Sequence, residues 1–340
     1  MRLRRIVRSW RAAPRPAAPE LRVAVDEVGA GSAVAEALER VRPPGAQVVV
    51  RRRGRVLFAA TAGAVTPGDR FVLASTGKLA TACVVLRLAE QGALDLDAPV
   101  LPWLPALPHA PSLTPRMLLA HRSGLREYRL GDPDPDYAWT RAEVLRRIAA
   151  RGPERAPDRR FAYRDANYVV LAEIAEQASG ERLGALVERL IARPLGLPGF
   201  SCAGDVVAPH MRVLGRNVGL GPVPTHAFGE IWGDGPVASS AHDLARFTEA
   251  LFGGELLAPT TLRAMVRRTD RFPRGRGYGL GVMLYRTEGG AMVAGHDGIY
   301  LGWTASASID DATATTVAVV ANLASPSTPA ARIAAALRAP

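Results

Sequence analysis

Lysine is almost missing from this chain. Of 43 Lys and Arg residues, only Lys78 is a lysine. Cysteine is scarce too, with Cys83 and Cys202 alone, too few for a disulfide framework. Cys83 lies in an apolar helical run and is expected to be buried and reduced. No run of about 18 apolar residues occurs, so no membrane-spanning helix is expected. Arg4 and Arg5 open the chain as twin arginines, but the stretch after Val7 is Arg-Ser-Trp-Arg-Ala-Ala-Pro-Arg-Pro. A secretory signal needs about 7–15 apolar residues there. The expectation is a soluble, cytoplasmic protein whose residues 1–25 form a disordered basic leader. The six histidines show no metal-ligand spacing, and neither a metal nor a cofactor is expected. Aromatic residues make up 6%, and no basic stripe carries interleaved aromatics. The net charge of +11 is therefore read as a solvated basic surface rather than a nucleic-acid site. Arg2, Arg4, Arg5, Arg8, Arg11 and Arg15 supply much of it. Arg51, Arg52, Arg53 and Arg55 surround Gly54 as a solvated hairpin tip.

What is present is enough apolar material for a large core. The chain has 340 residues, 48% apolar and 22% charged. That suits one large domain or two intertwined ones with a deep cleft. Apolar periodicity predicts a helix over 31–42, then a hairpin of strands Ala46–Arg51 and Arg55–Ala60. A helix follows Ser75. From about Ala93 to Pro236 strands largely disappear, and helices are predicted at Arg141–Ala150, Asn167–Ala178 and Leu183–Ala192. Helices at Ala241–Leu251 and Pro259–Val266 come next. Strand-rich runs at Tyr278–Tyr285, Ala291–Gly295, Gly302–Ile309 and Thr315–Asn322 precede a last helix at Pro329–Leu337. Strands at both ends with helices between them predict an α+β fold. One antiparallel sheet, built from residues 26–92 and 237–340, is flanked by helices. Residues 93–236 are inserted as a mainly helical lobe.

The lone lysine has a chemical meaning. Arg stays protonated in proteins, whereas Lys can give up its proton when buried or beside another cation. Lys78 stands three residues after Ser75, in Phe71-Val-Leu-Ala-Ser75-Thr-Gly-Lys78, and the apolar run Leu79–Leu88 behind it is helical in character. Residues i and i+3 share a helix face. Ser75 would then sit at a helix start, where free backbone N–H groups point outward. A hydroxyl becomes a strong nucleophile once a neighbouring base takes its proton, and a neutral lysine can do so.

Two further elements follow in order. Tyr163-Arg164-Asp165 comes just before a helix start, and Gly295-His296-Asp297-Gly298 falls on a late strand. Together with Ser75-x-x-Lys78 they resemble the penicillin-binding and class C β-lactamase-like superfamily of active-site serine enzymes. That superfamily combines S-x-x-K, then Y-x-N, then K-T-G or H-x-G, and the third element has the His form here. The resemblance runs from about residue 31 to 338. Supporting stretches are Leu118-Leu-Ala-His121-Arg-Ser123-Gly124-Leu125, Pro194-Leu-Gly-Leu197, Gly233-Asp-Gly-Pro-Val-Ala-Ser-Ser240-Ala-His-Asp243-Leu244 and Tyr278-Gly-Leu-Gly281.

The resemblance implies a role for each residue. Ser75 is the nucleophile, and Lys78 and Tyr163 share the proton transfers. The backbone N–H groups of Ser75 and Ile299 form an oxyanion hole. His296 and Gly298 line the strand edge along which the acyl group lies. The usual Asn of the second element is Asp165. An amide can donate to a substrate carbonyl, but an ionised carboxylate only accepts, so Asp165 stands either at the substrate or beside Lys78. His121 is read as a structural turn histidine. Gly199-Phe-Ser201-Cys-Ala203 lacks the second glycine of a nucleophile elbow and is set aside. The implied activity is hydrolysis of an ester or small amide through an acyl-enzyme. The alternative is a transacylase or peptide cyclase that passes the acyl group to an alcohol or amine. The expected partner is a small molecule, with no nucleic acid and no membrane span, and the oligomeric state is left open.

Overall fold

The computed structural model describes residues 16–128, 139–213, 216–220, 233–235, 237–271, 277–287, 290–325 and 328–337. Its strands are β1 (Leu21–Asp26), β2 (Gly45–Arg52), β3 (Arg55–Gly63), β4 (Phe71–Val72), β5 (His210–Val213), β6 (Arg216–Gly219), β7 (Ala238–Ser239), β8 (Asp270–Arg271), β9 (Gly277–Tyr278), β10 (Met283–Arg286), β11 (Met292–Tyr300), β12 (Trp303–Asp310) and β13 (Thr315–Ala321). The helices are α1 (Gly31–Val41), α2 (Lys78–Glu90), α3 (Pro115–Leu119), α4 (Arg141–Ala150), α5 (Ala166–Ser179), α6 (Leu183–Val187), α7 (Arg193–Leu195), α8 (Ala241–Phe252), α9 (Pro259–Val266) and α10 (Pro329–Ala336).

Nine strands form one antiparallel sheet in the order β1-β3-β2-β13-β12-β11-β10-β9-β8. The two ends of the chain meet where β13 pairs with β2. Alternation along these strands divides the interior in two. Val48, Val50, Val317 and Val319 pack with Val34 and Leu38 of α1 and Ile333 of α10. Val49, Ala318 and Val320 face the larger core, which includes Leu244 and Ala245 of α8 and extends through α2 and α5. The sheet is therefore covered on both faces. Its central strands are buried on both faces for that reason, down to polar residues such as Thr304, Ser306 and Ser308 of β12.

Four details depart from expectation. Leu21–Val25, assigned to the leader, form with Asp26 a strand paired with β3; residues 1–15 lie outside the described residues. The predicted run Tyr278–Tyr285 is two strands, β9 and β10, separated at Gly279–Val282. At the β2–β3 tip, Arg53 and Gly54 have φ of 49° and 82°, the two-residue turn that suits strand twist. Arg51 is not a solvated member of that tip. Its guanidinium is buried and donates to Glu249 Oε2 at 2.8 Å, while Glu249 Oε1 accepts the Gly54 N–H at 2.8 Å. One carboxylate of α8 thus fastens the hairpin. A short β5–β6 hairpin also stands in the stretch predicted to be mainly helical. Among the described residues, no helix is long and apolar enough to cross a membrane.

Candidate active site

Ser75 lies on a 3-10 turn, Ala74–Gly77, that runs directly into α2. The residue before it, Ala74, has a φ of 50°. For a residue with a Cβ this left-handed conformation costs about 1–3 kcal/mol, so neighbouring structure has to hold it. Two glycines do. A Cβ on Gly235 would come within 2.9 Å of the Ala74 carbonyl. A Cβ on Gly298 would lie 2.3 Å from the Leu73 carbonyl oxygen and 2.8 Å from the Thr76 nitrogen. The serine turn is therefore gripped between the Gly233–Gly235 segment and β11, backbone against backbone.

Lys78 is fully buried. Its ammonium has three N–H donors and three acceptors: Ser75 Oγ at 3.1 Å, Asp165 Oδ1 at 2.8 Å and the Asp234 carbonyl at 2.8 Å. Burial works against the charge. The Asp165 carboxylate, Tyr163 and Asp234 outweigh it, and the amine is held above its ordinary pKa. Asp165 itself is fixed at the start of α5, where its backbone N–H donates to Glu127 Oε2 at 2.8 Å. The structure thus sets Asp165 beside Lys78.

Tyr163 is packed on the same ammonium, its ring centroid 5.1 Å from Lys78 Nζ. Burial pushes its phenol up to about 12, with the Lys78 charge pulling against it. At neutral pH the set rests as hydroxyl, ammonium and phenol. A proton leaving Ser75 Oγ must therefore enter a pair whose basic form is the minor one, and the same pair can hand a proton onward.

The third element is an extension of β11. Its pairing with β10 ends at Met283↔Gly295, while pairing with β12 continues to Tyr300↔Trp303. His296–Tyr300 therefore run on past the last β10 partner, beside the serine turn. Gly298 contacts that turn, and Ile299 is 47% exposed. His296 is different. Its ring is buried, with Nδ1 at 2.6 Å from the Asp297 carbonyl and Nε2 at 3.2 Å from the Tyr278 hydroxyl. Burial first, then the Lys78 charge, lowers the imidazole to about 4, so it is neutral at pH 7.

Four further residues belong to this site: His121, Glu127, Asp234 and Tyr278. The sequence suggests a structural turn for His121; its ring is fully buried, 4.3 Å from the Tyr163 ring. The recurrence of His121, Asp234 and Tyr278 inside the motif-like stretches was the available signal. Glu127 had none.

Known proteins share both fold and sequence. A family profile described as Beta-lactamase matches residues 31–339, and the chain belongs to that family of active-site serine enzymes. The "Putative penicillin-binding protein PbpX" of Bacillus subtilis (strain 168) is 28% identical over 227 residues, 66% of this chain and 56% of that protein. "Esterase EstB" of Burkholderia gladioli is 35% identical over 190 residues, 48% of each chain. The chain thus spans about half the length of these relatives. Among solved structures, a D-stereospecific amidohydrolase from Streptomyces sp. superposes with a TM-score of 0.78 at 26% identity, covering 90% of this chain and 98% of that one.

Proposed function

We propose that this chain is a serine hydrolase that cleaves an ester or a small amide through an acyl-enzyme on Ser75. One observation carries the reading. Lys78 Nζ, buried and fully coordinated, stands 3.1 Å from Ser75 Oγ with Tyr163 on the same pair. Attack forms the bond from Ser75 Oγ to the acyl carbon. The serine proton passes into the Lys78–Tyr163 pair, which returns a proton to the departing alcohol or amine. Water then repeats the sequence in reverse and frees the acid. The backbone N–H groups of Ser75 and Ile299 are the proposed oxyanion donors, each worth about 10²–10³ in rate. Asp165 acts here as the partner of Lys78 rather than as a donor to substrate. His296 is neutral and buried, and offers no charge to a substrate carboxylate. That favours an ester or a small amide over a peptide with a free C-terminus. The esterase and amidohydrolase relatives support the same substrate class.

The test is intact-mass detection of an acyl adduct after exposure to a panel of small esters and amides. The adduct is expected in the wild-type chain and absent in Ser75→Ala. An adduct on both would overturn the assignment of Ser75. Product partition toward a dilute added amine or alcohol would replace hydrolysis with acyl transfer.

A further inference from the structure

We propose that His121 is a positioning residue that locks Tyr163 and His296 into one arrangement through Tyr278, tying the loop after α3 to β11. The inference rests on the serine-hydrolase reading for what that arrangement serves; its geometry stands apart from it.

His121 holds Tyr163 on three sides. Its carbonyl accepts the Ala162 N–H at 2.8 Å, its Nδ1 accepts the Arg164 N–H at 3.2 Å, and its ring lies against the Tyr163 ring at 4.3 Å and 35°. Both peptide N–H groups flanking Tyr163 thus end on one residue. His121 does this from a φ of 54°, the left-handed region in which histidine is enriched.

The ring chemistry then runs in one direction. Nδ1 of His121 accepts from the Arg164 N–H and from Asn167 Nδ2 at 2.9 Å. A neutral imidazole with Nδ1 as acceptor carries its proton on Nε2. That Nε2–H faces the Tyr278 hydroxyl at 3.2 Å. On the far side, His296 Nδ1 meets the Asp297 carbonyl, which can only accept, so the His296 proton is on Nδ1. Its Nε2 is then a bare acceptor, 3.2 Å from the same Tyr278 hydroxyl. Tyr168 also neighbours that hydroxyl. Its own hydroxyl donates to the Leu119 carbonyl at 3.0 Å. An imidazole nitrogen is a far better acceptor than a phenol oxygen, so the Tyr278 proton goes to His296. The order is Arg164 N–H to His121, His121 to Tyr278, Tyr278 to His296, and His296 to the Asp297 carbonyl. Each link fixes the tautomer of the next. The two histidines are held in opposite tautomers, and neither can turn without stranding a buried polar group.

The packing around Tyr278 leaves room for a phenyl ring, so Tyr278→Phe removes the link with little change of volume. In His121→Asn the side chain tolerates the left-handed backbone and its carbonyl can accept the Arg164 N–H, but it does not reach Tyr278. The experiment has two arms. In ¹⁵N-histidine-labelled protein at pH 7, long-range imidazole spectra are expected to show His121 neutral with Nε2–H and His296 neutral with Nδ1–H. The opposite tautomer at either ring, or a shared one, would overturn the network. In the second arm, a fluorophosphonate labels Ser75. Tyr278→Phe and His121→Asn are expected to slow the maximal labelling rate by about 10²-fold, with the half-saturating probe concentration close to wild type and both variants folded at the assay temperature, although each strands a buried polar group and lowers the thermal midpoint. Labelling at the wild-type rate, or a loss that follows the thermal midpoint alone, would show a merely structural role and overturn the inference. No labelling of the wild-type chain would bring down the serine reading and the catalytic part of this inference together.

Discussion

Lys78 concentrates the chemistry of single residues. Its three N–H groups are all used, it has no exposed surface, and its neighbours fit an ammonium rather than a planar guanidinium. Lys78→Arg keeps a positive charge but removes the group that can be neutral. The expected loss in Ser75 acylation is roughly 10³-fold, within the range for a positioned proton-transfer group, and a fluorophosphonate time course measures it. Near-normal labelling would mean that the amine is not needed as an amine. Asp165→Asn probes the same proton from the other side. With Asp165 gone, burial is left as the largest influence on Lys78 and lowers its pKa. If Lys78 is the titrating base, the rising limb of the kcat/KM profile moves to lower pH; a limb that stays in place would assign the titration elsewhere. Ser75, Lys78 and Tyr163 were legible in the sequence because spacing and motif order carry them. Asp165 was legible as a departure, and its two possible places followed from what a carboxylate can accept. His121 was not legible in its position. Its partner Tyr278 is 157 residues away, and no local pattern says that a turn histidine will be buried between two tyrosines.

At the level of elements, the site depends on how closely β11 approaches the serine turn. Gly298 permits that approach, since its missing Cβ would collide with backbone atoms of Leu73 and Thr76 that have nowhere to move. Gly298→Ala is expected to push β11 away from the turn. Moving one proposed oxyanion donor in this way should lower acylation by about 10²-fold. It should lower the thermal midpoint as well, because overpacking costs about 1–3 kcal/mol. Unchanged labelling kinetics would show that β11 does not shape the nucleophile's surroundings. The extent of β11 was itself half legible. The apolar run ends at Gly295, and the motif Gly295-His296-Asp297-Gly298 is read as lying on a late strand without any sign of how far that strand runs. Eight residue pairs with β12 carry the strand on to Tyr300, which is tertiary pairing overriding local propensity. The same holds for β1, whose exposed residues give no core-facing signal yet pair with β3. The helices were more legible, since α4 and α9 have the bounds that their apolar spacing and capping residues suggest. Thr140 caps α4 through the Glu143 N–H, and Pro259 opens α9.

For the molecule as a whole, the site costs stability as the pH falls. His121 and His296 are buried at the junction of sheet and helices, and both are held neutral. His296 is lowered to about 4 and His121 well below its ordinary value, in each case by burial first and the Lys78 charge second. In the unfolded chain both titrate near 6.5. Below that pH the unfolded chain takes up two protons that the folded chain refuses, so folding stability is present above about pH 6.5 and drains away as the pH drops. The paired carboxylates act in a lower window. Asp97, Glu154, Glu181 and Glu255 are all shifted down by their arginine partners, and their contribution is lost only below about pH 4.5. Between pH 7 and 5 the two histidines therefore dominate the change, because each unfolded ring takes up a proton that its folded counterpart resists. The loss over that interval is on the order of a few kcal/mol, to be read as a fall in the urea midpoint. His121→Asn removes one of the two protons and should halve the slope while leaving its sign. A midpoint that stays level from pH 7 to 5 in the wild-type chain would mean that these imidazoles are not buried in the neutral form.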